Sequence, residues 1–261
     1  MNRPVVYSKP MQWTDQAIVL SSQKYSEHSG IVSAFTRHHG RFKGLVRGMT
    51  SKTQRGTYQL GNVIDATWNA RLSEQLGHYK AELIHPVAAH CLSYPMQLLG
   101  LSSVCALLDS TLGERDPHPE LFDTTMALIR QIITQAVWIP DYIRFEIALL
   151  SELGFRLELT HCVVTGQTDD LIYVSPRSGR AVSAAAGKPY THLLLPLPQF
   201  LVQDTHPSSV NNHDMKNGLE LGAYFLNKYI MNTHAISLPA TRIRLYDMVS
   251  KHSATQTASS L

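Results

Sequence analysis

The chain has 261 residues, 44% hydrophobic and 16% charged, which suits one large domain or two small ones with a buried core. Three scattered cysteines argue against a disulfide framework and for a reducing compartment, and no apolar run approaches the roughly 18 residues of a membrane span. The net charge of +3 conceals an asymmetry: residues 1–80 hold 11 Lys and Arg against 4 Asp and Glu, and residues 81–261 hold 12 against 16.

In chain order, the first 13 residues show no apolar h-region and no small-residue cleavage site, so no signal peptide is expected. Residues 17–20 are a short apolar run that gives way to a polar, turn-like stretch ending at Gly30. A strand is predicted over 31–36, a tight connection over 37–40, and a second hairpin arm over 41–48. Gly40 suits the positive φ that a short hairpin loop requires. Side chains alternate across a strand. Arg41, Lys43, Leu45 and Arg47 therefore share one face, fit for a charged exterior, while Phe42, Gly44, Val46 and Gly48 share the other, fit for a tapering interior. A further strand is predicted over 62–69. Several short strands separated by turns point to a small barrel or sandwich, and five would make an OB-fold, which commonly binds single-stranded nucleic acid.

No acidic residue lies between Glu27 and Asp65, whereas Arg37, Arg41, Lys43, Arg47, Lys52 and Arg55 all do. These six are the candidate DNA contacts, because phosphate neutralisation supplies affinity without reading sequence; the bland alternative is a solvated basic face. Tyr25 and Tyr58 are the aromatic residues near this run that are candidates for base stacking, while Phe35 and Phe42 are assigned to the barrel core.

From about residue 80 the periodicity becomes helical. Helices are predicted over 94–111, over 120–137 after a break containing Gly113, Pro117 and Pro119, and from Pro140 to a stop at Gly154. Residues 160–190 read as a small irregular insert with one hairpin, 171–174 paired with 181–183. Helix returns over 217–232 and again around 242–249, and 250–261 read as a disordered tail. The domain plan is thus 1–80, 81–249 and the tail.

Motifs for other chemistry are missing. Val182 and Pro189 stand where a phosphate-cradling loop around Gly187-Lys188 needs glycine and a hydroxyl, so no nucleotide cofactor is expected. Cys162 followed by Thr165 has the shape of half a Cys-x-x-Cys knuckle with one ligand lost, so no bound metal is expected. Should a metal nonetheless be present, His161 and His192 are the first ligands to test. Two acidic pairs, Glu114 with Asp116 and Asp169 with Asp170, leave open an unrecognised metal-dependent nuclease, and an adaptor whose barrel binds no DNA is a second alternative.

Several separated stretches, in order, resemble the RecO family. They are 13–20, 25–32 and 35–41, Gly44-Leu45-Val46-Arg47-Gly48, 58–62, 68–71 and 75–77, the helix segment 145–155, Tyr173-Val174-Ser175-Pro176 with Gly179, and 238–245. The version over 58–77 is similar to that of α-proteobacterial members. The resemblance implies an α+β, multidomain architecture: a five-stranded OB-fold barrel, then a helical domain with a zinc-ribbon-like insert. It implies a non-enzymatic recombination mediator of the RecF pathway, cytoplasmic and associated with the nucleoid. Such a mediator binds single- and double-stranded DNA, anneals complementary strands, and loads RecA on strands coated with single-strand-binding protein, together with RecR. The partners implied are DNA, RecR and the C-terminal tail of single-strand-binding protein. Arg242 and Arg244, in the last stretch, are candidates for secondary DNA or partner contacts. The chain departs from zinc-bearing members at the insert, where Cys162 alone stands for a four-cysteine knuckle.

Overall fold

The computed structural model describes residues 11–72, 75–203 and 207–258. The chain divides into two compact units, 1–123 and 124–261. The first unit is built on five strands: β1 (Met11–Lys24), β2 (Ser29–Thr36), β3 (Gly40–Arg47), β4 (Val63–Ala70) and β5 (Gly77–His85). They close into a barrel in the order β1-β2-β3-β5-β4, with β4 returning to β1 and β5 parallel to β3. This is the OB-fold expected from the resemblance.

Alternation along β3 follows the expectation. Phe42, Gly44 and Val46 are buried, whereas Lys43 and Arg47 are exposed and Arg41 and Leu45 lie between. Gly40 has φ 76° at the β2–β3 turn. The interior is filled by Ala17, Val19, Val32, Ala34, Phe42, Val46, Tyr58, Ile64, Ala66, Trp68 and Tyr79. Gly44 and Gly77 make room for the largest of these: a Cβ on Gly44 would lie 2.5 Å from the Tyr79 ring, and one on Gly77 would lie 2.2 Å from Trp68.

One strand escaped the sequence reading, which let helical periodicity begin near 80. The pattern Gly77-His78-Tyr79-Lys80-Ala81-Glu82 alternates small or aromatic residues with polar ones, and β5 follows that alternation. The expected boundary at 80 therefore falls inside the barrel, and the first compact unit runs on to Asp123. The reason lies in β1. Ala17 and Val19 face the interior while Ile18 and Leu20, on the other face, are also fully buried. A run buried on both sides needs an outer cover, and α3 (Pro95–Thr111) packs on β1 and β2. Phe35 is likewise buried, but on the outside, edge-on to Phe122 at 5.5 Å. Two short helices complete the unit: α1 (Lys52–Thr57) between β3 and β4, and α2 (Val87–Cys91) after β5. Buried Asn62 holds both, donating to the Gly56 and Thr57 carbonyls and accepting from the Ala88 amide.

The division between units falls within α4 (Pro119–Thr134). In the second unit α5 (Ile139–Glu152) starts with Pro140 in its first turn and ends where Gly154 takes φ 89° and the Phe155 amide bonds back to the Leu150 carbonyl. The insert holds β6 (Leu171–Val174), β7 (Ala181–Ser183) and β8 (Leu195–Pro196) in the order β7-β6-β8, with α6 (Ala184–Gly187) after β7. The sequence reading set its hairpin on the same residues as β6 and β7. Next comes α7 (Asn212–Leu226), five residues earlier than expected because the Asn211 side chain caps it, accepting from the Asp214 amide at 2.8 Å. A π-helical turn, Asn227–Met231, extends it. Finally α8 (Ala240–Ala258) is helical well past residue 250, which corrects the expected tail for 250–258; 259–261 lie outside the described residues. Helices α5, α7 and α8 pack in series, with α7 central.

Candidate nucleic-acid interface

The six cations singled out in the sequence do not form one surface. Arg37 is committed to Asp123, donating from Nε at 2.9 Å and Nη2 at 2.7 Å. Arg41 is largely withdrawn from solvent: Nε donates to the Leu112 carbonyl at 2.9 Å, and Nη1 lies 3.4 Å from Asp109 and 3.6 Å from Glu114. Lys43, half exposed, meets the same Glu114 carboxylate at 2.8 Å. These lysine and arginine neighbours hold the Glu114 carboxyl below the usual carboxylate range, the Lys43 hydrogen bond contributing most.

By contrast Arg47, Lys52 and Arg55 are exposed and make no ion pair with any described residue. Two grooves open here, one lined by Arg47 and the other by Arg55. The larger, about 570 Å³, is lined by Leu45 and Arg47 of β3, Gln54 of α1, Asn69 of β4, and His78, Tyr79, Lys80 and Ala81 of β5. The smaller, about 350 Å³, is lined by Ser22, Lys24, Ser26, Glu27 and Ser29, by Met49 and Thr50, and by Arg55 of α1. Helix α1 borders both. Its Ser51 caps it, accepting from the Gln54 amide, and Arg55 donates to the Thr50 carbonyl, so the helix start and Arg55 are locally held.

Lys43, Leu45 and Arg47 project from one face of β3, beside His78 and Lys80 of β5, with Leu45 and His78 direct partners across the pair. His78, Lys80 and Lys24 were missed in the sequence because β5 was not recognised and because Lys24 lies at the far end of a strand longer than its apolar run. The alternation over 77–82 was the available signal.

Two further sequence candidates are corrected, Tyr58 and Arg242. Tyr58 is 2% exposed and part of the barrel core, so it offers no stacking face; burial pushes its phenol up to about 12. Tyr25, 66% exposed in the β1–β2 loop next to the smaller groove, keeps that possibility. Arg242 is 1% exposed inside the second unit, where it donates to both Glu146 oxygens and to the Leu219 carbonyl at 2.6 Å. It is an internal tie and touches no ligand from outside, while Arg244 is exposed.

At the insert the half-knuckle is closed by hydrogen bonds. The Cys162 amide bonds the Gln167 carbonyl, the Gly166 amide bonds the Cys162 carbonyl, and the Ser183 amide points at the sulfur at 3.3 Å. Burial pushes the Cys162 thiol up, but Ser183 and Thr165 groups around the sulfur outweigh it and bring it to about 6. Among the described residues no group of three or more His, Cys, Asp or Glu side chains is placed to hold a metal ion. Of the acidic pairs, Glu114 is occupied by Lys43 and Arg41, and Asp116 lies 3.4 Å from His118. No described helix is long and apolar enough to cross a membrane.

The chain matches the family model described as Recombination protein O N terminal over residues 11–87 and that described as Recombination protein O C terminal over 95–235. It is 45% identical over 243 residues to the DNA repair protein RecO of Rhodospirillum centenum, covering 92% of this chain and 96% of that one. It is 41% identical to the protein of the same name from Granulibacter bethesdensis, covering 94% and 98%, and 40% identical to that of Bartonella bacilliformis, covering 91% and 96%. With its barrel, its helical unit and its cysteine-poor insert, the chain belongs to the RecO family of DNA repair proteins.

Proposed function

We propose that the protein is a non-enzymatic recombination mediator that lays DNA along the outer β3–β5 face and α1. In this reading it holds single and double strands without sequence preference, anneals complementary strands, and helps RecA onto strands coated with single-strand-binding protein, in concert with RecR, in the cytoplasm at the nucleoid. The observation that carries it is a set of exposed cations: Arg47 and Lys80 line the larger groove, Arg55 lines the smaller, and Lys52 stands on the same short helix as Arg55. Phosphate contacts position a strand but carry no base information, which suits a protein that must act wherever damage falls. The name borne by the relatives, DNA repair protein, agrees with this.

Salt dependence of binding to labelled oligonucleotides tests the placement. Each phosphate neutralised on a single strand contributes about 0.7 to the slope of log affinity against log salt. Replacing Arg47, Lys52 and Lys80 together by Ala should flatten that slope by about 2, weaken binding to all sequences alike, and leave the fold intact because all three are exposed. Annealing by the unaltered protein should need no nucleotide. An unchanged slope in the folded variant, or annealing only with ATP and Mg²⁺, would refute the reading.

A further inference from the structure

The segment between α3 and α4 lies on β3 in a way that packing alone does not require. Along the edge of β3 that β2 leaves open, β5 pairs only at Gly44 and Leu45. Ahead of it, Glu114 forms a parallel bridge with Arg41, and the Arg115 amide donates to the Arg41 carbonyl at 2.9 Å. This placement puts Arg115 at φ 65°, a left-handed conformation that is strained for a non-glycine residue. The same segment presses on the β2–β3 turn, where a Cβ on Gly40 would lie 2.1 Å from the Asp116 carbonyl oxygen. The result of this strained path is that one carboxylate, Glu114, sits 2.8 Å from the Lys43 ammonium and 3.6 Å from the Arg41 guanidinium. Glu114 and Lys43 each keep 45% of their side-chain surface exposed.

We propose that the Glu114 carboxylate stands in the place of a backbone phosphate, and that Arg41 and Lys43 form a phosphate subsite continuous with Arg47, which DNA opens by displacing Glu114. A carboxylate and a phosphate offer the same recognition to an ammonium and a guanidinium: anionic oxygens that accept charge-assisted hydrogen bonds. Lys43 shares its strand face with Leu45 and with Arg47, four residues on, so a strand following the groove past Arg47 and Leu45 arrives at Lys43. Arg41 stays anchored through Nε on the Leu112 carbonyl and through Asp109, leaving Lys43 as the group that changes partner. Half-exposed ion pairs are weak, so the latch is light enough for a polyanion to open, and it lowers affinity for isolated anions more than for a strand already held at Arg47 and Lys80. The inference rests on the DNA-binding reading above.

A double-mutant cycle on the full chain tests it, with a labelled single strand as the probe. Glu114→Gln should bind about threefold tighter at moderate salt, the size of one exposed ion pair. Lys43→Ala should cost little in the unaltered protein, because Lys43 must first leave Glu114, and several-fold more in the Glu114→Gln background. Urea denaturation accompanies both variants; should Glu114→Gln loosen the loop, Glu114→Lys with Lys43→Glu restores the pair with reversed sign and should bind more weakly than either single change predicts. Equal costs of Lys43→Ala in the two backgrounds, with Arg47→Ala still weakening binding, would overturn the subsite and leave the DNA reading standing. Absence of binding by the unaltered protein would overturn both.

Discussion

At the scale of single residues, the same chemistry was legible in some places and hidden in others according to what surrounds it. Arg47 and Lys52 read correctly as exposed cations, since a charged residue on the polar side of a strand or on a short surface helix has no partner to hide it. Arg242 did not, because nothing local in its sequence shows Glu146, almost a hundred positions earlier. In the fold that pair is wholly buried, and Gly222 leaves the space for it: a Cβ there would lie 2.3 Å from a Glu146 oxygen. Tyr142 lends its ring face at 5.9 Å from the guanidinium carbon. Removing one member of such a pair strands a buried charge and costs about 3–5 kcal/mol, whereas replacing both with apolar residues is often close to neutral. Arg242→Ala should therefore lower the urea midpoint sharply with no direct effect on DNA contacts. Arg242→Met combined with Glu146→Leu should recover most of the loss. A single variant as stable as the unaltered chain would mean that the pair contributes nothing.

Elements were read well where periodicity and punctuation agreed. Strands β2 and β3, helices α3 to α5 and the hairpin β6–β7 all fall close to the expected ranges, because glycine, proline and alternation mark their ends. Strand β5 and the early start of α7 were missed: in the first the polar face outweighs a short apolar one, and in the second the cap lies in a run of polar residues. The insert shows how hydrogen bonds to one sulfur can hold a short turn. Its knuckle turn is tied by the Cys162, Gly166 and Ser183 amides. Structural zinc takes four nitrogen or sulfur ligands, and here a single sulfur faces the turn. Elemental analysis of the purified protein should find no stoichiometric zinc, and a chelator should leave the melting temperature unchanged. About one zinc per chain, or a melting point that drops with chelator, would require ligands beyond Cys162, His161 and His192 first.

For the molecule as a whole, the charge asymmetry visible in the sequence resolves into a barrel unit whose exposed cations face outward and whose acids are mostly engaged. Two of these acids set an expectation for acid stability. Asp15, buried beneath the β2–β3 turn, accepts from the His38 amide and lies within 3.1 Å of both the His38 and His39 rings. Burial raises its pKa, and these hydrogen bonds more than offset that, so the net direction is down; Glu114 is lowered as well. A carboxylate lowered in the folded state lends stability above its unfolded value, about 3.9 for Asp and 4.3 for Glu, and loses it as pH falls through the folded value. Urea midpoints should thus hold from neutral pH to about 5 and fall below about 4, with a shallower fall in Asp15→Asn. An acid profile indifferent to that substitution would remove Asp15 from the account.

The short β3–β5 ladder carries one further consequence. Those strands share two paired positions, against seven or eight at each other seam of the barrel. Two further carbonyls of β3 are met by side chains, Trp68 Nε1 on the Lys43 carbonyl and the Tyr79 hydroxyl on the Phe42 carbonyl. The proposed ligand would lie across this same seam, bridging from outside two strands that the backbone joins least. Occupancy and closure of the barrel are then thermodynamically linked: a ligand that binds only the closed form stabilises it by RT ln(1 + [L]/Kd), and its measured affinity already contains the work of holding the seam shut.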